Sequence, residues 1–228
     1  MKIFSTQKKI FDKSRIQGRK KFLHYFPKGF TDRKYTDWER DYKWDAHLTW
    51  EEELNREEYE KLLKAGKHSE IAKKAVRLES RTNLLFSFEK MALRDAVKTP
   101  EGARDFAIGL FDYVYGKALI KNRFENFSQM LTLLPRKQTR VQTWPLQTIF
   151  GFIANPDEHI FLKPRVTQNA AKQYNYEFLY RSQVNWETYS SFLEFSKQIY
   201  EDIKDLKPRD YIDIQSFIWV LGSEEYPD

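Results

Sequence analysis

From Thr49 to Leu221 apolar side chains recur at three- and four-residue spacing between capping residues, a pattern that restricts the chain to a mainly α fold. Thr49 and Glu52 stand at capping-box spacing ahead of an acidic turn, Glu51-Glu52-Glu53, and Gly66 offers a stop. Ser69 precedes a stripe of Ile71, Ala72, Ala75, Leu78, Leu85, Phe88, Met91 and Ala92 that reaches Val97, with a break expected near 80–83. Thr99-Pro100 places a capping hydroxyl before a proline at the first helical position, and Gly116 ends that helix. The next segment, 117–134, puts Leu119, Phe124, Phe127, Met130, Leu131 and Leu134 inward and stops at Pro135. Thr143-Trp144-Pro145 opens a short apolar helix to Ala154, and a further short helix is expected at 167–174. Asn185 caps a helix over 186–204, and Arg209-Asp210 opens the last one, over 211–221.

Residues 1–48 lack a sustained helical period and mix basic side chains with Phe22, Tyr25, Phe26, Phe30, Tyr35, Trp38, Tyr42 and Trp44. They read as an arm of short elements, turned at Pro27-Lys28-Gly29, that packs on a helical domain of residues 49–228. His159-Ile160-Phe161-Leu162 leaves room for one short β ribbon in this multi-helix globular domain. Apolar and aromatic content, 41% and 16%, is enough to bury a core that offsets the conformational entropy lost on folding.

Charge is distributed unevenly. The whole chain carries +6, whereas residues 1–34 hold eleven Lys and Arg against Asp12 and Asp32, a surplus of +9 that leaves −3 for the rest. No apolar run approaches the roughly 20 residues that span a bilayer, so no transmembrane segment is expected. The first residues lack the apolar stretch of a secretory signal, and cysteine is absent. Both features favour a reducing, cytoplasmic location, and the second excludes disulfides, thiol nucleophiles and thiolate metal sites.

The basic cluster Lys8, Lys9, Lys13, Arg15, Arg19, Lys20 and Lys21 runs into Phe22, His24, Tyr25 and Phe26. Cations attract phosphates through counterion release and flat rings stack on unpaired bases, so this pairing suits a nucleic-acid arm; a solvated terminus anchored by its aromatics is the alternative. A second group joins Arg136, Lys137 and Arg140 to Lys163 and Arg165, on either side of the segment around Trp144. These form an anion site if the fold brings them together, and otherwise serve as soluble loops. His159 follows Asp157-Glu158, where a carboxylate can orient an imidazole for acid–base work. His24, His47 and His68 are too scattered for a metal spacing, and no metal site is expected. Asp157 and Asp205-Leu206-Lys207 hold pieces of a nuclease signature, but the latter falls at a predicted helix end rather than on a core strand. Glycine-rich phosphate loops and the Gly-x-Ser-x-Gly elbow are absent, and the sequence names no cofactor. Glu79, Arg81, Glu89, Lys90, Arg94 and Asp95 crowd opposite charges into one stretch, which reads first as a structural polar network.

Three stretches, 80–96, Thr143-Trp144-Pro145 with 159–164, and 208–217, resemble a family of uncharacterised bacterial proteins. The resemblance implies a bacterial cytoplasmic origin and no particular activity. The function expected from the residues is a noncatalytic module that binds nucleic acid or a protein partner that handles it, using Lys20, Lys21, Arg136, Arg140, Lys163 and Arg165. The contrasting expectation is an enzyme whose charged pocket includes His159, and oligomeric state is not legible.

Overall fold

The computed structural model describes residues 2–137 and 139–227, with side chains in the first helix described from Lys13 onward. In chain order the helices are α1 (Lys2–Tyr25), α2 (Arg33–Tyr35), α3 (Asp41–Glu53), α4 (Arg56–Lys64), α5 (His68–Ser80) and α6 (Ser87–Ala96), then α7 (Pro100–Tyr115), α8 (Ile120–Leu133), α9 (Trp144–Ala154), α10 (Pro164–Gln173), α11 (Trp186–Asp202) and α12 (Tyr211–Gly222). The protein is mainly α, and no strand occurs among the described residues, so 159–162 is irregular chain rather than part of a ribbon. No helix among them is long and apolar enough to cross a membrane.

Side-chain capping sets several helix starts. Thr99 Oγ1 accepts from Gly102 N–H and Thr143 Oγ1 from Leu146 N–H, each with proline in the first turn that follows. Asp210 caps α12 by accepting from the backbones of Ile212 and Asp213. Leu119, expected inward, is 76% exposed, and two expectations about where helices run fail. The helix expected to start at Thr49 is already under way there, because α3 begins at Asp41; the Thr49 hydroxyl donates back to Asp45 O instead of capping, and Asn55 caps the next helix, α4. The arm's first part is one continuous helix, α1, which the apolar period missed because that helix is strongly polar and its fully buried Phe22 lies near its C-terminal end.

The chain falls into two compact units, the first Met1–Asp41, Leu162–Ser182 and Glu187–Asp228, the second Tyr42–Phe161 and Gln183–Trp186. In the first unit α12 packs on α10 and α1. Gly222 permits the α10 contact, since a Cβ there would stand 2.0 Å from Val166 O. Phe22 lies against Phe26, Phe30, Tyr35 and Phe217, with ring centroids 4.8–5.9 Å apart. Beside them a single π turn at Thr36–Arg40, closed by Asp41 N–H donating to Thr36 O, turns Glu39 and Arg40 inward. In the second unit α7 is the hub, contacting α4, α5, α8 and α9, and α9 is buried on every side. Such a helix, apolar on nearly every side apart from Gln147 and Thr148, belongs inside a core.

Candidate functional site

The second unit opens a cleft of about 500 Å³ between α5 and the C-terminal end of α6. One face of α5 supplies Ser69, Lys73, Val76, Arg77 and Ser80, residues at the three- and four-residue spacing that aligns side chains along a helix. Arg94, Val97 and Lys98 supply the other wall with the same spacing. The cleft therefore gathers four cations with two serine hydroxyls, and no carboxylate occurs among the described residues that line it. Arg77 is paired with Glu53, and Lys98 lies 3.7 Å from Asp95. Arg94 donates to Ser80 Oγ at 3.1 Å, so its charge meets a neutral acceptor.

Beneath the cleft the turn between α5 and α6 is fastened by Lys90. Its Nζ lies 3.5 Å from Glu79 Oε1 and donates to Thr82 O at 3.1 Å. Burial pushes the Glu79 carboxyl above its usual range, against the opposing charges of Lys90 and Arg94. The start of α6 is fixed in turn by Glu89, whose carboxylate accepts from Phe86 N–H at 3.0 Å and from Thr143 Oγ1 at 2.9 Å. The polar network expected in this stretch thus exists, and its outer side is the cleft. The same turn resets the helical phase, so that Glu89, Leu93 and Ala96 are buried while Phe88 and Met91, expected inward, face solvent.

The basic residues singled out in the sequence divide between the units. In the second, Arg136 and Arg140 are exposed on the α8–α9 loop, and their neighbour Lys137 lies 3.8 Å from Asp95. That contact sets the loop beside the end of α6. In the first, Lys20 is exposed on α1, while Lys21 reaches Leu221 O at 3.4 Å and Arg165 pairs with Glu224 at 2.5 Å. Those two cations sit at the C-terminal end of α12, where positive charge complements the helix dipole. Lys163 is half-buried and immediately precedes α10. Arg15 and Arg19 are neutralised within the unit, by Asp202 at 2.9 Å and Asp205 at 2.6 Å. Lys13 is exposed on α1, whereas the side chains of Lys8 and Lys9 lie outside the described residues.

His159 lies wholly inside the second unit. Its Nδ1 is 3.3 Å from the Tyr113 hydroxyl, and its Nε2 is 3.4 Å from Glu158 Oε2 but off the line of a hydrogen bond. Gly151 makes room for the ring, since a Cβ there would come within 2.7 Å of His159 Cγ. Burial lowers the imidazole pKa, with Glu158 opposing and Arg123 adding to the shift. The contact with His159, together with Arg123 at 2.5 Å, brings the Glu158 carboxyl down to about 2. With the imidazole held neutral, Arg123 is the charge that answers Glu158 near pH 7. Arg123 also donates to Tyr113 O at 2.7 Å and to Ala118 O at 3.1 Å, so the cluster ties α7, α8 and the turn after α9 together. Among the described residues no set of three His, Asp or Glu side chains gathers to hold a metal ion.

No known protein family, curated protein or solved structure matches the chain. The site is therefore judged on its own chemistry.

Proposed function

We propose that the protein is a noncatalytic module that binds nucleic acid through the α5–α6 cleft. One observation carries this reading: Lys73, Arg77, Arg94 and Lys98 line a single opening without a lining carboxylate among the described residues. Bringing like charges together costs energy that a folded chain recovers when an anion enters, and phosphates add the entropy of released counterions. Lys137 meets Asp95 at the end of α6, and Arg136 and Arg140 are exposed on the same loop, so more than one phosphate could be served, which suits a polymer better than a small anion. A cysteine-free chain is at home in the reducing cytoplasm, and we place this function there, in a bacterial cell.

The test is fluorescence anisotropy with labelled oligonucleotides across a salt series. The parent protein binds at low salt and loses affinity steeply as salt rises. Lys73→Gln combined with Arg94→Gln weakens binding about tenfold or more and lowers the salt slope by about one to two, since each lost phosphate contact removes its share of counterion release. Absence of binding at low salt, or a double variant indistinguishable from the parent, overturns the proposal.

A further inference from the structure

The outward face of α6 changes character along its length. At its start Phe86 and Phe88 are half exposed, their rings stacked with centroids 5.6 Å apart and planes 18° from parallel, and Met91 beside them is 62% exposed. Farther along come Arg94 and, just past the helix, Lys98, both on the wall of the cleft. Six residues at 1.5 Å of rise separate Phe88 from Arg94, about 9 Å along the helix. Single exposed apolar residues need no explanation, but two stacked aromatic rings with an exposed methionine three residues on from the second leave apolar surface in water at the start of α6. This surface is held in place: Glu89 fixes the Phe86 backbone and is itself fixed by Thr143.

We infer that the ligand is a single-stranded nucleic acid whose phosphates enter the α5–α6 cleft while one or more bases stack on Phe86 and Phe88. The inference rests on the nucleic-acid reading of the cleft and adds the strandedness of the ligand. Flat aromatic faces beside a cationic groove are the two parts that sequence-tolerant single-strand binding requires, because every base offers a π face and every linkage a negative charge. A duplex keeps its bases stacked on one another and leaves the phenylalanines nothing to cover. The apolar face of a protein partner would satisfy the rings but not the cations, so continuity with the cleft selects the polyanion.

Three probes separate the outcomes: labelled oligo-dT of about 12 nucleotides, a duplex of the same length, and linear polyphosphate. The parent binds oligo-dT more tightly than the other two. Phe86→Ala with Phe88→Ala weakens oligo-dT binding about 5- to 150-fold per lost stack and leaves duplex binding, polyphosphate binding and the salt slope unchanged. Phe86→Leu with Phe88→Leu keeps the surface apolar without its π faces and loses the same preference; a thermal melt of each variant shows that the fold is retained. Equal parent affinity for all three probes, or a Leu variant that keeps the oligo-dT preference, overturns the stacking inference while the cleft reading stands. Failure of the parent to bind any of the three at low salt overturns the cleft reading itself.

Discussion

Arg40 in the first unit and Arg94 in the second show the same side chain used in opposite ways. Arg40 is buried, donates twice to Asp210 at 2.6 and 2.9 Å, and donates to Asp213 Oδ1 at 2.8 Å. Asp213 also accepts from the Tyr35 hydroxyl at 2.6 Å and from Arg209 through both guanidinium and backbone, so neither of its oxygens lacks a donor. Burial works against the charge of Arg40, but the hydrogen bonds and charges of Asp210 and Asp213 prevail and hold its pKa above the usual value. Arg94 is exposed, meets a serine hydroxyl and shares its cleft with three more cations. A charge matched by carboxylates inside a unit holds that unit together, whereas the cations on the cleft wall are only partly answered, Arg77 by Glu53 and Lys98 by Asp95.

The sharpest way to break this comparison is Arg40→Met. It leaves Asp210 without its guanidinium partner and Asp213 with Arg209 alone, and we expect a loss of about 3–5 kcal/mol in urea unfolding. A loss below about 1 kcal/mol would show that the buried pair is no more structural than a surface one. Acid titration should reveal the second unit's counterpart, the Arg123–Glu158–His159 cluster. The folded state lowers the His159 pKa, so the unfolded chain takes up the proton first and stability falls as pH drops below the ordinary imidazole value of 6.5. Glu158, brought down to about 2, continues the same trend below 4.5. His159→Asn should flatten the first part of this slope; an unchanged slope between pH 6.5 and the carboxylate range would assign it elsewhere. The smallest effect belongs to the cleft, where Lys73→Gln with Arg94→Gln should shift stability by no more than about 0.5 kcal/mol while ligand affinity falls. Loss of the cooperative melt in that variant would make the cleft part of the scaffold.

What was legible in the sequence follows the range of the interactions. Thr99 before Pro100, Thr143 before Pro145 and Asp210 before Tyr211 act within three residues, so the caps of α7, α9 and α12 could be read directly. Thr49 misled because its spacing from Glu52 recurs in any helix interior. Phe88 and Met91 were placed inward because one period was carried across the turn at 81–86, where the phase changes. The cleft was half visible: Lys73 with Arg77, and Arg94 with Lys98, stand four apart in the sequence, as same-face residues do. That the two pairs share an opening depends on helix packing, which local spacing does not encode. The loop that carries Arg136 meets the end of α6 through Lys137 and Asp95, a pairing across tens of residues that the charge pattern does not indicate.

The composition of the first unit from three separated stretches of chain has a consequence for its synthesis. Asp210 and Asp213 follow their partner Arg40 by 170 and 173 residues. At the usual pace of a ribosome, about 5–20 residues per second, Arg40 emerges roughly 10 to 30 s before the carboxylates that will neutralise it. The stretch Tyr42–Phe161, by contrast, supplies nearly all of the second unit without interruption and is complete well before the last helix is made. The nascent chain therefore matures from its middle outward, with its earliest residues waiting for its latest.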